Sequence, residues 1–205
     1  MRNANRTAGL VLLGLLSGLA CAPSQEKPET EASLVPAEIP EQELERAREA
    51  VASMGSRLMS TLVEELREGG PVQAVRVCSE VAPRIAEEQS SDGLAVRRVS
   101  LRVRNPAGEP DDYERGILEA WESTHQPGSA PDESAELVSE GGRTRLRYMK
   151  PIVLMTPCLK CHGDPERMSP ELKTLLAERY PEDRATGYRD GDLRGAFSVT
   201  VDLRQ

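Results

Sequence analysis

The segment Cys158-Leu159-Lys160-Cys161-His162 constrains this chain more than any other part of it. Two cysteines separated by two residues, with histidine directly after the second, form the pattern of covalent c-type haem attachment. The spacing follows from chemistry: the two thiols become thioethers on the haem vinyl groups, and the histidine is then held under the iron as an axial ligand. A zinc site would have to recruit Cys78 or distant carboxylates to complete four ligands. A thioredoxin-like redox pair would need a strand-then-helix setting around a reactive cysteine at a helix start. The segment therefore predicts one covalent haem c, held by Cys158 and Cys161, with His162 on the iron.

The rest of the chain has to be able to receive such a group. Its 205 residues include one Phe, one Trp and four Tyr, so the core is poor in aromatics and a porphyrin would supply the missing apolar bulk. The length suits one domain with tails. The net charge of −8 comes without any large basic patch, so no nucleic-acid partner is expected.

The N-terminus predicts export. Arg2 and Arg6 precede an apolar run over residues 10–20, which is short for a membrane span. Small residues lead to Cys21, as in bacterial lipoproteins whose cysteine takes lipid. Gly18 and Leu19 depart from the usual box, which leaves ordinary secretion with nearby cleavage as the alternative. Residues 1–20 are thus read as a signal peptide, and removing them, with two arginines and no acidic residue, takes the charge from −8 to −10. Residues 21–40, rich in Pro, Glu, Ser and Thr, read as a flexible tether, and residues 41–205 as the domain. The expected location is periplasmic, lipid-anchored to a membrane through Cys21.

Cysteine bookkeeping then singles out Cys78. With Cys21 lipidated and two cysteines on haem, it is a lone thiol in an oxidising compartment. It lies with Val75, Ala82 and Ile85 on one face of a helix predicted over residues 71–88, with a kink at Pro83. A longer helix is predicted from Glu41 to a stop at Gly69-Gly70, with Leu44, Ala47, Val51, Met54, Leu58, Leu62 and Leu66 as its apolar stripe. Met59 and Val63 fall off that stripe and leave room for a homodimer through this helix. Residues 95–103 alternate as a half-buried strand. Pro110-Asp111-Asp112 opens a helix, Gly141-Gly142 turns a β-hairpin, residues 170–179 form a short helix, residues 180–191 a polar loop, and residues 195–201 a closing strand. Hairpin-linked strands among helices favour an α+β domain.

For the second axial position the residues leave several candidates: Cys78, an open or water-bound site, a methionine (Met54, Met59, Met149, Met155 or Met168), or His125. Among Arg97, Arg98, Arg102 and Arg104, Arg98 and Arg104 are candidates for the haem propionates, since arginine suits carboxylates. A solvated strand face is the plainer alternative. Asp183, Asp190 and Asp192 are expected to shape turns.

Several segments together resemble a family of single-haem cytochrome c domains with a PAS-like fold, long catalogued as a domain of unknown function. Members occur alone and as the sensor region of some membrane histidine kinases. The resemblance rests on Ala74-Val75-x-Val77-Cys78-Ser79-Glu80-x-Ala82-Pro83, Arg98-Val99-Ser100-Leu101-x-x-Arg104-Asn105-Pro106, Lys150-Pro151-Ile152 with Cys158-Leu159-x-Cys161-His162-Gly163, Tyr180-Pro181-x-Asp183-x-Ala185-x-Gly187-Tyr188, and Gly191-Asp192-x-Arg194-Gly195. Val99 and Ala107-Gly108 depart from the family pattern. The resemblance implies a central antiparallel sheet flanked by helices. It also implies His and Cys as the two axial ligands, here His162 and Cys78. With both positions filled, no enzyme activity is expected. A periplasmic electron carrier or a redox or gas (CO, NO) sensor is, with an unidentified redox or signalling protein as its partner.

Overall fold

The computed structural model describes residues 38–203; the expected signal peptide, the expected lipidation at Cys21 and all but the last residues of the expected tether lie outside them. The elements are α1 (Glu41–Arg76), a π-helical turn (Val77–Val81), α2 (Ala82–Gln89), β1 (Leu94–Val99), α3 (Asp112–Thr124), β2 (Ser134–Glu140), β3 (Arg143–Val153), α4 (Leu159–His162), α5 (Pro170–Arg179) and β4 (Leu193–Asp202). The four strands form one antiparallel sheet in the order β1-β4-β3-β2. This is the α+β arrangement expected, with a long N-terminal helix.

The last strand lies in the interior of the sheet, paired with both β1 and β3. Val199 and Val201 are fully buried there. On one face, Ala47, Val51 and Met54 of α1 pack against Val96, Leu146, Tyr148 and Val199. Leu118 of α3 packs with Val99, Met149 and Ala196 in a second cluster. A capping box starts α3: Asp111 accepts from the Glu114 N–H, and the Glu114 carboxylate accepts from the Asp111 N–H. The β2–β3 hairpin turns on Gly141 and Gly142, both at positive φ (59° and 77°), as its two-residue loop requires.

Two local expectations hold in detail and one is corrected. The helix stop expected at Gly69-Gly70 falls where the glycines place it, as a non-helical break between two helical stretches that together make α1. Gly70 takes φ 69° and ψ −167°, and Pro71 restarts the helix at once. The kink predicted at Pro83 takes the form of a π-helical turn just before it. The Ala82 N–H reaches back five residues to the Val77 carbonyl. Proline has no N–H, and its ring crowds the carbonyl four residues back; a turn wider by one residue relieves that crowding. Finally, β1 ends at Val99 rather than continuing to 103. Ser100 leaves the ladder, donating from its hydroxyl to the Arg194 carbonyl (2.7 Å) and accepting from the Arg102 N–H (3.1 Å). Gly195 opposite permits this approach: a Cβ there would sit 2.1 Å from the Val99 carbonyl oxygen.

Candidate haem site

A cavity of about 630 Å³ opens between α1, the π-helical turn, the end of β1 and α4. That volume lies in the range of small-molecule and cofactor pockets, roughly 300–1,000 Å³. Its walls are largely aliphatic: Met54, Leu58 and Leu62 from α1, Val77 and Ala82 around the π turn, and Val103 and Leu154. Met59, which lies off the main stripe of α1, lines this cavity; Val63 is exposed. Leu62 and Leu66, predicted as core, are half-buried cavity residues.

Cys78, Cys158, Cys161 and His162 all line this one cavity. Cys158 ends a short 3-10 turn, Thr156–Cys158, and α4 follows as a single helical turn. Three residues apart on that turn, Cys158 and Cys161 share a side. Cys78 enters from the opposite part of the chain, half-buried in the π turn, while its neighbour Val77 is buried in the core under the sheet.

The geometry around His162 bears directly on metal binding. Its Nδ1 lies 2.7 Å from the Ala185 carbonyl oxygen. A carbonyl only accepts, so Nδ1 carries the proton and Nε2 keeps its lone pair for a metal. Burial, reinforced by the Arg104 charge, holds the imidazole well below its usual pKa and so in the neutral, ligating form. The Tyr188 ring meets the imidazole edge-on at 6.4 Å and 82°. Its N–H donates to the His162 carbonyl (3.0 Å), and the Gly187 N–H donates to the Gly163 carbonyl (2.7 Å). Burial pushes the free Cys161 thiol up to about 11.

The polar loop of residues 180–191 thus forms a wall of the site, a role its composition did not reveal. Its anchor is Arg104, buried at 7% exposure. The Arg104 guanidinium pairs with Asp183 (2.9 Å), and donates to the carbonyls of Cys161 (2.6 Å) and Ala185 (3.4 Å). Asp183 in turn accepts from the Ala185 N–H (2.8 Å), so one aspartate shapes the turn and pairs with the arginine. Asp192 accepts from the Arg189 N–H, a turn role as expected, whereas Asp190 accepts from the Thr156 hydroxyl beside the attachment segment.

The arginines divide by their partners. Arg104 lines the cavity, yet its donors are committed to Asp183 and the two carbonyls. Arg98 lines the cavity, and its side chain makes no hydrogen bond or ion pair among the described residues. Arg194, absent from the sequence-based candidates, lines the cavity too. It donates to the Ser100 hydroxyl and the Arg102 carbonyl and has no carboxylate partner among the described residues. Burial lowers its pKa. Two guanidiniums without a carboxylate at one cavity wall suit a ligand that brings its own carboxylates.

The other candidates for the second axial position divide by place. His125 is outside the cavity lining, and its Nε2 is 2.8 Å from the Gly191 carbonyl. Met149, Met155 and Met168 do not line the cavity; Met54 and Met59 do, as part of its aliphatic wall. A macrocycle with two carboxylates, two thiol-reactive edges and a metal therefore fits the residues present.

The family model described as Tll0287-like matches residues 31–202. Among solved structures, the crystal structure of the cyanobacterial heme-protein Tll0287 is similar to this chain, with a TM-score of 0.64 and 27% sequence identity. The match covers 82% of this chain and 99% of that one. No curated protein matches the chain. With more than three quarters of its length matched to that model and its fold shared with a haem protein, the chain belongs to the Tll0287-like family.

Proposed function

We propose that this protein binds one haem c, attached through Cys158 and Cys161 and ligated by His162 and Cys78, and that it carries electrons in an exported, membrane-anchored setting. The observation that carries this reading is the convergence of Cys78 and His162 on one apolar cavity, with the His162 tautomer set by Ala185 so that Nε2 is free. The likeness to a haem protein supports the cofactor. Arg98 and Arg194 are the propionate partners in this reading, and Arg104 is the brace behind His162.

Such a haem supplies a one-electron couple, and a thiolate ligand weights it toward the ferric state. The protein's part is to exclude water with the α1 wall, to hold His162 neutral and oriented, and to present Cys78 from a fixed turn. With both axial positions filled there is no open coordination site for a substrate, so the reading includes no enzymatic turnover. The acidic chain suits a basic redox partner, brought in by electrostatic steering. Lipid on Cys21 would keep that encounter at a membrane surface.

A second reading, a redox or CO/NO sensor that signals to a separate partner, draws on one observation. Cys78 sits in a π-helical turn, a local irregularity common at functional sites, and a change of register there would withdraw it from the cavity. Potentiometry with parallel spectra separates the two. The carrier reading predicts a reversible one-electron couple, unchanged axial ligation on reduction, and no CO adduct of the reduced protein. Loss of the thiolate on reduction, with CO binding, would contradict it in favour of the sensor.

A further inference from the structure

Tyr180 is a buried side chain beside the haem cavity. It is 7% exposed and lines the same cavity as Cys78. Its ring packs with Val75, one turn before Cys78, and with Leu172 and Leu176 of α5. Its backbone N–H closes α5 on the Leu176 carbonyl. The residue before it fastens this end of α5 to the π turn: Arg179 donates to the Ser79 hydroxyl (3.0 Å) and to the Glu80 carboxylate (2.9 Å), the two residues that follow Cys78.

The Tyr180 hydroxyl is buried and reaches hydrogen-bond geometry with no described residue. Ser79, the residue after Cys78, is its polar neighbour; the Ser79 hydroxyl donates to the Val75 carbonyl (3.2 Å), accepts from Arg179 and keeps one lone pair free. A buried hydroxyl without a partner is rare and calls for a specific explanation.

We infer that Tyr180 is a positioning residue for the second axial ligand, its hydroxyl donating a hydrogen bond to the Cys78 sulfur when that sulfur binds iron as thiolate. The inference rests on the Cys78 ligation proposed above. A donor at the sulfur withdraws electron density from the thiolate–iron bond and favours the reduced state, because hydrogen bonds to ligand sulfur tune the metal's potential. The same bond fixes the Cys78 rotamer toward the cavity.

The test is Tyr180→Phe in the full haem-loaded protein, which keeps the ring packing and removes only the hydroxyl. The expected result is a shift of about tenfold toward the oxidised form, about 59 mV lower for a one-electron couple. Altered thiolate–iron charge-transfer and electron paramagnetic resonance signals should accompany it, with haem content unchanged. Tyr180→Leu should give the same spectral shift together with lower thermal stability, which separates the hydroxyl's role from that of the ring. A wild-type protein whose ferric spectra show thiolate ligation, and whose potential and spectra are unmoved by Tyr180→Phe, would overturn this inference alone. A wild-type protein without thiolate ligation would overturn the Cys78 reading and this inference together.

Discussion

Replacing Cys158 and Cys161 together by serine should yield a chain that retains no haem through denaturation and that fails to reach the native fold. The first result follows from losing both thioether positions. The second follows from the cavity. Its walls are largely aliphatic. Without the group that lining faces water, at about 25 cal/mol per Å² of apolar surface exposed. A typical domain has only about 5–15 kcal/mol of stability to set against it. The α1 wall and the π turn must therefore close onto the void or melt. Denaturing mass spectrometry reads the missing haem, and near-ultraviolet circular dichroism reads the loss of fixed packing. A double variant with native packing would show that the cavity is not held open by a covalent group.

Arg104→Ala carries the second large effect. The side chain is almost completely buried against Asp183, whose own side chain is 12% exposed, and it also serves the carbonyls of Cys161 and Ala185. Removing one member of a buried pair leaves a charge without compensation and costs about 3–5 kcal/mol. For a domain of this size that lowers the unfolding temperature by about 10 °C or more. Asp183→Asn should cost less, since an amide oxygen can still accept from the Ala185 N–H. Because Ala185 also fixes the His162 tautomer, Arg104→Ala should weaken retention of the His162 ligand in the same protein. Thermal unfolding of the haem-loaded variants checks the order; an Arg104→Ala loss under about 1 kcal/mol would mean that the pair is not an anchor of the site.

How far the site was legible differs residue by residue. Cys158, Cys161 and His162 could be read directly because covalent attachment dictates their spacing. Cys78 emerged from counting thiols and from the resemblance, and it does share the cavity with them. Arg194 was not legible: it sits on the central strand, 92 residues from the Arg102 carbonyl that it binds, and no local pattern marks a strand arginine as cavity-facing. Asp183 read as a turn former and is one. Its pairing with Arg104 spans 79 residues, beyond any periodicity. Likewise β1 was drawn too long because the alternation of Val99, Leu101 and Val103 continues after the ladder ends. What ends it is the Ser100 hydrogen bond to Arg194, a tertiary event. The central position of β4 is also non-local, since pairing order follows from the whole sheet. Elements with strong local signals, such as the Gly141-Gly142 hairpin and the helix opened by Pro110-Asp111-Asp112, match the structure closely.

In the proposed reading Cys78 and His162 together close the two axial positions of a covalently held haem. The most direct measurement compares the ferric electronic and electron paramagnetic resonance spectra of the haem-loaded protein with those of Cys78→Ala at equal haem content. The account predicts a low-spin, thiolate-ligated spectrum in the parent, and in the variant a high-spin or exogenously ligated one with the covalent haem retained. Identical ferric spectra from the two proteins would contradict it.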